Sequence, residues 1–357
     1  MPHIARRLLI LLALSVPAMW LVTRPAMAAS IVDATGRTVA LPDQVLRVLP
    51  AGPPAAVLLA ALAPDLMLGW PHRPDEAAAA WLPNDVAALP EIGPLRPGPD
   101  LAARIRALRP DLILDYGSTA ARYADRAEQT ETATGVPTIL LDGRLAFTPL
   151  VLRLLGRALH REDRAEDLAQ LAEGVLASVG PHREGLSVVY VHGAEGQEVA
   201  VPGGANSEVL EFLGWQLRAP PATIPPATIP PATLPPENGP QNGPFRHASV
   251  AEIAALDPDL LIFSDAAMRA RVAAAPEWRA LRAVRDGHAF VAPAAPFGWI
   301  EGPPSINRLL GLAWLGSGAP STGVVPMAAV FNLTAYRRVP TPGQIATLRR
   351  SLMPVEP

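Results

Sequence analysis

Apolar runs and helical patterns alternate along most of the chain. Continuous apolar segments such as 112–114 and 138–141 lie on either side of stretches with the spacing of amphipathic helices. Strands that are apolar on both faces and are separated by helices are typical of a parallel sheet covered on both sides. The first part of the chain, 29–147, is therefore predicted to form an α/β lobe.

The pattern changes to a sustained helical period between residues 148 and 180, where Leu155, Leu168 and Val175 fall on one side. Strand and helix alternate again from residue 181, in strings such as LSVVYVHG, DLLIFSD and HAFVAP. The pattern thus predicts an α/β protein with two lobes. The predicted segments are an N-terminal lobe, 29–147, a single long connecting helix, 148–180, a C-terminal lobe, 181–303, and a C-terminal helix and tail, 304–357.

Each lobe contains nearly the same phrase. RALRPDLILDYG ends at Gly117, and AALDPDLLIFSD ends at Asp265. Each phrase predicts a helix that ends before Pro110 or Pro258 and is followed by a buried strand. Because open α/β sheets bind ligands at the carboxyl ends of their strands, we expect these two ends to face each other across a cleft.

Two segments depart from this pattern. Residues 1–28 have Arg6 and Arg7 ahead of an apolar run and end in an Ala-Met-Ala triplet, which predicts a signal peptide cleaved near Ala28. An uncleaved membrane anchor is the alternative, because apolar residues continue to Val22. The segment 220–244 repeats the unit PPAT with Ile or Leu, which predicts an extended insertion in the C-terminal lobe.

Composition excludes several functions. The 357-residue chain contains no cysteine, so disulfides, thiolate metal sites and cysteine nucleophiles are excluded. All 30 basic residues are arginine, and without lysine neither a P-loop nor a pyridoxal Schiff base can form. The net charge of −3 gives no indication of a nucleic-acid partner.

The string PFGWIEGPPSINRLLGLAWL, at 296–315, is the most specific candidate for a binding site. Prolines mark a helix start, and the preceding loop follows a strand and carries aromatic residues and an acid. The histidines in the two lobes lack the local spacing of a metal site; those considered are His72, His192, His247 and His288. No GxSxG element is present, and no catalytic residue, resident metal or cofactor is predicted.

These strings resemble the periplasmic substrate-binding proteins of ABC importers for iron complexes and cobalamin. DATGRTVALP is similar to the family's opening hairpin, LPEIG and LRPDLILDYG to first-lobe landmarks, and VPGGANSEVLEFLG to a second-lobe helix. The string at 296–315 is similar to an iron-complex subgroup. The resemblance covers most of the chain. It implies a class III fold, with two Rossmann-like lobes joined by one long helix, and a soluble, monomeric periplasmic protein that catalyses nothing.

The resemblance also implies a cleft lined by the ends of corresponding strands. The implied ligand-binding residues are Trp70, His72, Arg73, Tyr116, Arg144, Trp299 and Arg308. Ferric siderophores are usually anionic and flat-faced, which suits arginine side chains and aromatic faces. An iron chelate is the expected ligand, and a nickel or other metal chelate, haem and cobalamin are alternatives. A structural role, in packing for Trp299 or in capping a loop carbonyl for Arg308, also fits the sequence.

The chain departs from the family where the importer's permease docks. The family presents a surface glutamate on each lobe, but Ala102, Ala103 and Ala251 stand at those positions here. The nearest acids, Asp100 and Glu252, are therefore the predicted docking residues. Two functions of other classes stay open, an exported hydrolase and a membrane-anchored interaction module.

Overall fold

The computed structural model describes residues 30–95, 97–179, 185–221, 245–316 and 322–356. The predicted signal peptide and nearly all of the proline-rich insertion lie outside these residues. The strands are β1 (Ser30–Val32), β2 (Thr38–Ala40), β3 (Val48–Pro50), β4 (Leu112–Gly117), β5 (Thr138–Asp142), β6 (Ser187–His192), β7 (Glu198–Ala200), β8 (Gln216–Leu217), β9 (Phe245–His247), β10 (Leu260–Phe263) and β11 (Ala289–Val291).

Helices cover the sheets, and three more come after the last strand, β11, among the described residues. The helices are α1 (Pro53–Leu62), α2 (Glu76–Ala79), α3 (Asn84–Ala87), α4 (Leu101–Leu108), α5 (Ala121–Thr134), α6 (Thr148–Leu159), α7 (Glu162–Ser178), α8 (Glu208–Phe212), α9 (Val250–Leu256), α10 (Ala267–Ala274), α11 (Pro276–Arg279), α12 (Arg282–Arg285), α13 (Arg308–Leu315), α14 (Val325–Tyr336) and α15 (Pro342–Ser351). None of the helices in the described ranges is both long and apolar enough to cross a bilayer.

Two sheets form the centres of the two lobes. The first is parallel with the order β3-β4-β5, and the hairpin β1-β2 turns at Gly36, whose φ of +83° suits glycine. The second has the order β11-β10-β6-β7-β9, with β8 also paired to β6. Its strands β8, β10 and β11 run parallel to β6, whereas β7 is antiparallel to β6. The predicted α/β class is confirmed.

The repeated phrase performs the same task in both lobes. In the first, the Asp111 carboxylate accepts hydrogen bonds from the backbone N–H groups of Leu46 and Arg47, at 2.8 and 2.9 Å, where β3 begins. In the second, the Asp259 carboxylate accepts from the N–H and hydroxyl of Ser187, at 3.0 and 2.7 Å, where β6 begins. Each Pro-Asp corner therefore fixes the start of the neighbouring parallel strand.

The connecting segment contains two helices rather than the single predicted one. Helix α6 ends at His160, which has a φ of +53°, and the Arg161 N–H bonds back to the Gly156 carbonyl at 2.8 Å. This geometry is a Schellman cap, usually marked by glycine, so a histidine at the cap gave no stop signal in the sequence. Helices α6 and α7 then pack closely at Gly156 and Ala165, and α7 leads into the second lobe.

Where one C-terminal helix was predicted, the described part of 304–357 contains three α-helices, and the last of them, α15, contacts both lobes. Gln344 donates to the Ala80 carbonyl of the first lobe at 2.9 Å. Arg269 of the second lobe donates to the carbonyls of Ser351, Met353 and Pro354. Helix α15 therefore spans the gap between the lobes.

Candidate functional site

A cavity of about 1100 Å³ lies between the two lobes, and we call it the cleft cavity. Its first wall consists of the start of α1 and residues of the segment 70–81. Its second wall consists of the carboxyl ends of β6 and β10 and the loop 292–303, and its third is one face of α15. The cavity thus lies where open α/β sheets bind ligands.

A polar cluster forms the second-lobe wall. His192 follows Tyr190 at the two-residue spacing of strand β6, so both side chains lie on the same face of the sheet. The His192 Nδ1 lies 2.5 Å from Oε1 of Glu301 and 3.4 Å from the Ser264 hydroxyl. Glu301 is 9% exposed, so the carboxylate that orients this imidazole is almost fully buried.

The contact with Glu301 determines what the His192 ring can do. When Nδ1–H donates a hydrogen bond to the carboxylate, Nε2, which lies 4.0 Å from a carboxylate oxygen of Glu198, keeps its lone pair, as in the carboxylate–histidine pairs that support metal ligands. Burial, followed by the charge of Glu301, raises the pKa of Tyr190 well above its ordinary value. The phenol therefore stays neutral beside the carboxylate.

His72 lies on the opposite wall of the cleft cavity. Its Nδ1 is 3.5 Å from the Glu91 carboxylate, and its side chain is 61% exposed. Across the described residues no group of three or more histidine, cysteine, aspartate or glutamate side chains can hold a metal ion. A metal bound here would therefore bring most of its own ligands.

Aromatic side chains give the cavity rigid walls. Trp70, Trp81, Phe297 and Trp299 line it, and each is no more than 9% exposed. The Trp70 indole donates to the Val86 carbonyl at 2.9 Å, and the Trp299 indole donates to the Ala295 carbonyl at 3.1 Å. The indole rings of Trp70 and Trp299 are therefore held in place by the protein framework.

The structure brings some predicted site residues together and separates others. Trp70, His72 and Trp299 line the cleft cavity. Tyr116 lines a smaller cavity of about 370 Å³ behind the start of α1, together with Asp115 and Arg126. Arg73, Arg144 and Arg308 are not among the described residues that line the cleft cavity.

Arg308 is 1% exposed and joins the lobes from the start of α13. It pairs with Glu208 of the second lobe at 2.5 Å and donates to the Gly143 carbonyl of the first lobe. The other Glu208 oxygen accepts from the Leu145 N–H at 2.7 Å. The Arg308 guanidinium and the Glu208 carboxylate are thus both bonded within the protein. This favours a structural role for Arg308, which the sequence had left open.

The other two predicted arginines lie outside the cleft cavity. Arg144 pairs with Asp142 at 2.5 Å and stacks 4.4 Å from the centre of the Phe147 ring. Asp142 raises the pKa of Arg144 above its ordinary value. Arg73 is exposed, and its backbone N–H donates to Glu91 at 3.2 Å. The basic ligand contacts that the sequence suggested are thus absent from the described cavity walls.

The two predicted docking acids lie at helix starts. Asp100 is exposed at the N-cap of α4, where it makes no side-chain capping bond. Glu252 is exposed in a capping box with Ser249, whose backbone N–H and hydroxyl lower the pKa of the glutamate. Both acids are available at the surface.

Sequence reasoning missed the wall made by α15 and the pairing of His192 with Glu301. Thr341, Gln344, Thr347 and Ser351 of this segment line the cavity. Their spacing of three to four residues is that of one helix face, and a polar face of this kind is normally exposed to solvent. Only the path of the chain places it against the cleft.

Comparisons with known proteins agree on the fold. A family model described as periplasmic binding protein matches residues 103–296, more than half of the chain. An ABC transporter solute binding protein from Sulfurospirillum deleyianum has a TM-score of 0.75 at 20% identity, covering 90% of this chain and 98% of its own. A search among curated proteins gives no match.

Two further solved structures are similar. A periplasmic solute binding protein from Veillonella parvula has a TM-score of 0.64 at 18% identity, covering 90% of this chain and 97% of its own. MolA of Haemophilus influenzae, a molybdate periplasmic binding protein bound to molybdate, has a TM-score of 0.62 at 14% identity, covering 88% and 99%. At these identities the likeness shows the fold alone.

Proposed function

Because the chain belongs to the periplasmic binding protein family, we propose that it captures an iron chelate or a similar metal complex and delivers it to an ABC importer. It acts in the periplasm as a binding protein without catalysis. The observation that carries this proposal is the cleft cavity of about 1100 Å³, with its fixed aromatic walls and one oriented histidine. A preformed, mostly apolar cavity with few polar groups is typical of a small-molecule site.

The chemistry of the walls favours a complex over a bare ion. The described residues offer no set of three metal ligands, so the cargo must carry its own. The lone pair on His192 Nε2 can complete the coordination of a complex that has an open position. This favours a small iron or nickel chelate over a fully saturated one, with haem and cobalamin as larger alternatives.

Delivery requires a permease contact on each lobe. Asp100 on the first lobe and Glu252 on the second are exposed acids that can pair with permease arginines. The partner is therefore proposed to be the importer's membrane permease, with the binding protein as a soluble monomer.

Tryptophan fluorescence tests the proposed function, because Trp70, Trp81 and Trp299 line the cavity. The purified chain is titrated with ferric hydroxamates, haem, cobalamin and Ni²⁺ complexes, and native mass spectrometry gives the stoichiometry. One complex bound per chain is expected. A protein that binds none of these, or that turns over a substrate instead, contradicts the proposal.

The role of His192 is tested with a matched pair of variants. His192→Ala should weaken binding of complexes with an open coordination position by about tenfold or more, since a lost metal ligand removes a strong directional bond. His288 is exposed at the amino end of β11, away from the cavity, so His288→Ala should leave affinity unchanged. Equal affinities of the two variants would remove His192 from the site.

A further inference from the structure

The formal charges on the walls of the cleft cavity are negative. Asp75 contributes from the first lobe, and Asp265 and Glu301 contribute from the second. None of the described lining residues is an arginine, and the chain contains no lysine. Any cation on these walls would have to come from protonation of His72 or His192.

We infer that the cleft cavity selects metal complexes of zero or positive net charge and rejects anionic ones, an inference that rests on the proposed function. Like charges repel strongly where water is partly excluded, and Glu301 is almost fully buried beside the cavity. An anionic complex would approach this carboxylate with no arginine among the described lining residues, and only a protonated His192, 2.5 Å from Glu301, could offset its charge. The inference reverses the charge preference expected from the sequence, which depended on arginine contacts.

The third wall supplies hydrogen bonds without adding charge. Gln344, Thr347 and Ser351 of α15 line the cavity, although the Gln344 amide also bonds to Ala80 and Thr341 and the Ser351 hydroxyl donates to the Leu348 carbonyl. The proton of the Thr347 hydroxyl and the second N–H of the Gln344 amide can still donate to the oxygen atoms of a neutral chelate. Helix α15 therefore contributes orientation, and the sign of the charge is set by the other two walls.

Two arginines bond to lining residues of α15 without themselves lining the cavity, and the first, Arg269, donates to the Ser351 carbonyl at 2.6 Å. Arg350 lies beside α15's cavity face and donates to the Thr347 hydroxyl at 3.0 Å. Arg73 is exposed and does not line the cavity. Arg308 is already paired with Glu208 inside the lobe interface.

The test uses two series of probes that differ mainly in charge. One is ferrioxamine B, charge about +1, with its N-acetyl and N-succinyl derivatives, charges about 0 and −1. The other is Ni²⁺ bound by diethylenetriamine, iminodiacetate or nitrilotriacetate, with charges of about +2, 0 and −1. Affinities for the purified chain are measured by calorimetry at low and high salt.

In any series that binds, affinity should fall as the charge of the complex becomes more negative, on the order of tenfold per unit charge at low salt. High salt should reduce this difference. An anionic member that binds as tightly as its neutral relative overturns the charge selection and leaves the proposed function standing. No binding in either series contradicts the proposed function, and the charge selection falls with it.

Variants locate the effect. Asp75 and Asp265 each accept a backbone N–H bond, from Ala78 and Ala267, at 2.8 Å. Asparagine can accept the same bonds, so the double variant Asp75→Asn and Asp265→Asn should fold and lose about tenfold or more of the preference. Asp43→Asn, at an exposed position that does not line the cavity, is the control and should preserve it. An unchanged preference in the double variant would overturn the assignment to these walls.

Discussion

Single buried polar side chains decide how the lobes meet. Arg308 and Glu208 form an ion pair whose remaining hydrogen bonds reach Gly143 and Leu145 of the first lobe. A buried pair with satisfied hydrogen bonds contributes little net energy, but removing one partner leaves an uncompensated charge. The Asp259 carboxylate differs, because it is partly exposed and acts through the hydrogen bonds that it accepts from the N–H and hydroxyl of Ser187 at the start of β6.

Arg308→Met is therefore expected to lower the free energy of unfolding by about 3–5 kcal/mol, as measured by urea denaturation. Adding Glu208→Gln should recover part of the loss, because no unpaired charge then stays buried. Arg144→Met is the matched control: the Arg144 side chain is 63% exposed, and its loss should cost about 1 kcal/mol or less. Equal losses from the two arginines would argue against the buried network.

Asp259 makes a pH-dependent contribution to the stability of the folded protein. Hydrogen bonds from Ser187 lower the pKa of Asp259 from 3.8 to about 2. Because the folded-state pKa is depressed, this stability is fully present above about pH 4 and is lost as the pH falls towards 2. Asp259→Asn should thus cost about 1 kcal/mol at pH 7 and almost nothing at pH 2, by urea denaturation. A cost that stays constant across this range, or that also appears in the exposed control Asp43→Asn, would contradict the assignment.

At the scale of elements, a loop and a helix are fitted to each other beside the cleft. The loop that carries Trp299 and Glu301 lies against α13, and the contact depends on Gly311. A β-carbon at Gly311 would lie 2.0 Å from the Trp299 carbonyl oxygen. Only glycine, which has no β-carbon, allows the two backbones to approach this closely.

Gly311→Ala should destabilise the protein by about 1–3 kcal/mol and weaken ligand binding, because the loop must move. Gly174 lies in the interior of α7 with open space around it, so Gly174→Ala should instead add about 0.5–1 kcal/mol. Thermal unfolding and a ligand titration of both variants check the pair. A Gly311→Ala protein as stable as the original would show that the loop yields freely.

On the scale of the whole molecule, several contacts cross between the lobes. Helix α7 connects them, the Ser305 hydroxyl donates to the Pro54 carbonyl at 2.9 Å, and α15 is bonded to both sides of the cleft. Hinge motion needs a few flexible connections, whereas these links are distributed around the cavity. The lobes are therefore expected to move little when a ligand binds.

Small-angle scattering measures this directly. The radius of gyration of the purified chain should be unchanged within error when a saturating metal complex is added. Arg269→Ala removes the bonds that hold the end of α15 to the second lobe, and in this variant a ligand-dependent change should become detectable. A clear compaction of the unaltered protein on binding would contradict a rigid arrangement.

The sequence by itself determined what depends on neighbouring residues. The spacing of apolar positions gave two α/β lobes and the repeated Pro-Asp corners, because hydrophobic period and proline act over a few residues. The motif at 296–315 also led to the family, which the family match confirms. The cap at His160 escaped because a left-handed cap on a non-glycine residue leaves no local signal.

Only the tertiary structure decided which side chains share the cleft. His192 and Glu301 are 109 positions apart, and Arg308 reaches a carbonyl 165 positions away. In the structure, Tyr116 and the three predicted arginines do not line the cleft cavity. One face of α15 does line it, although the sequence of that polar face is typical of a helix surface exposed to solvent. Such pairings follow from how lobes and terminal helices pack, and packing depends on shape and burial across the whole chain.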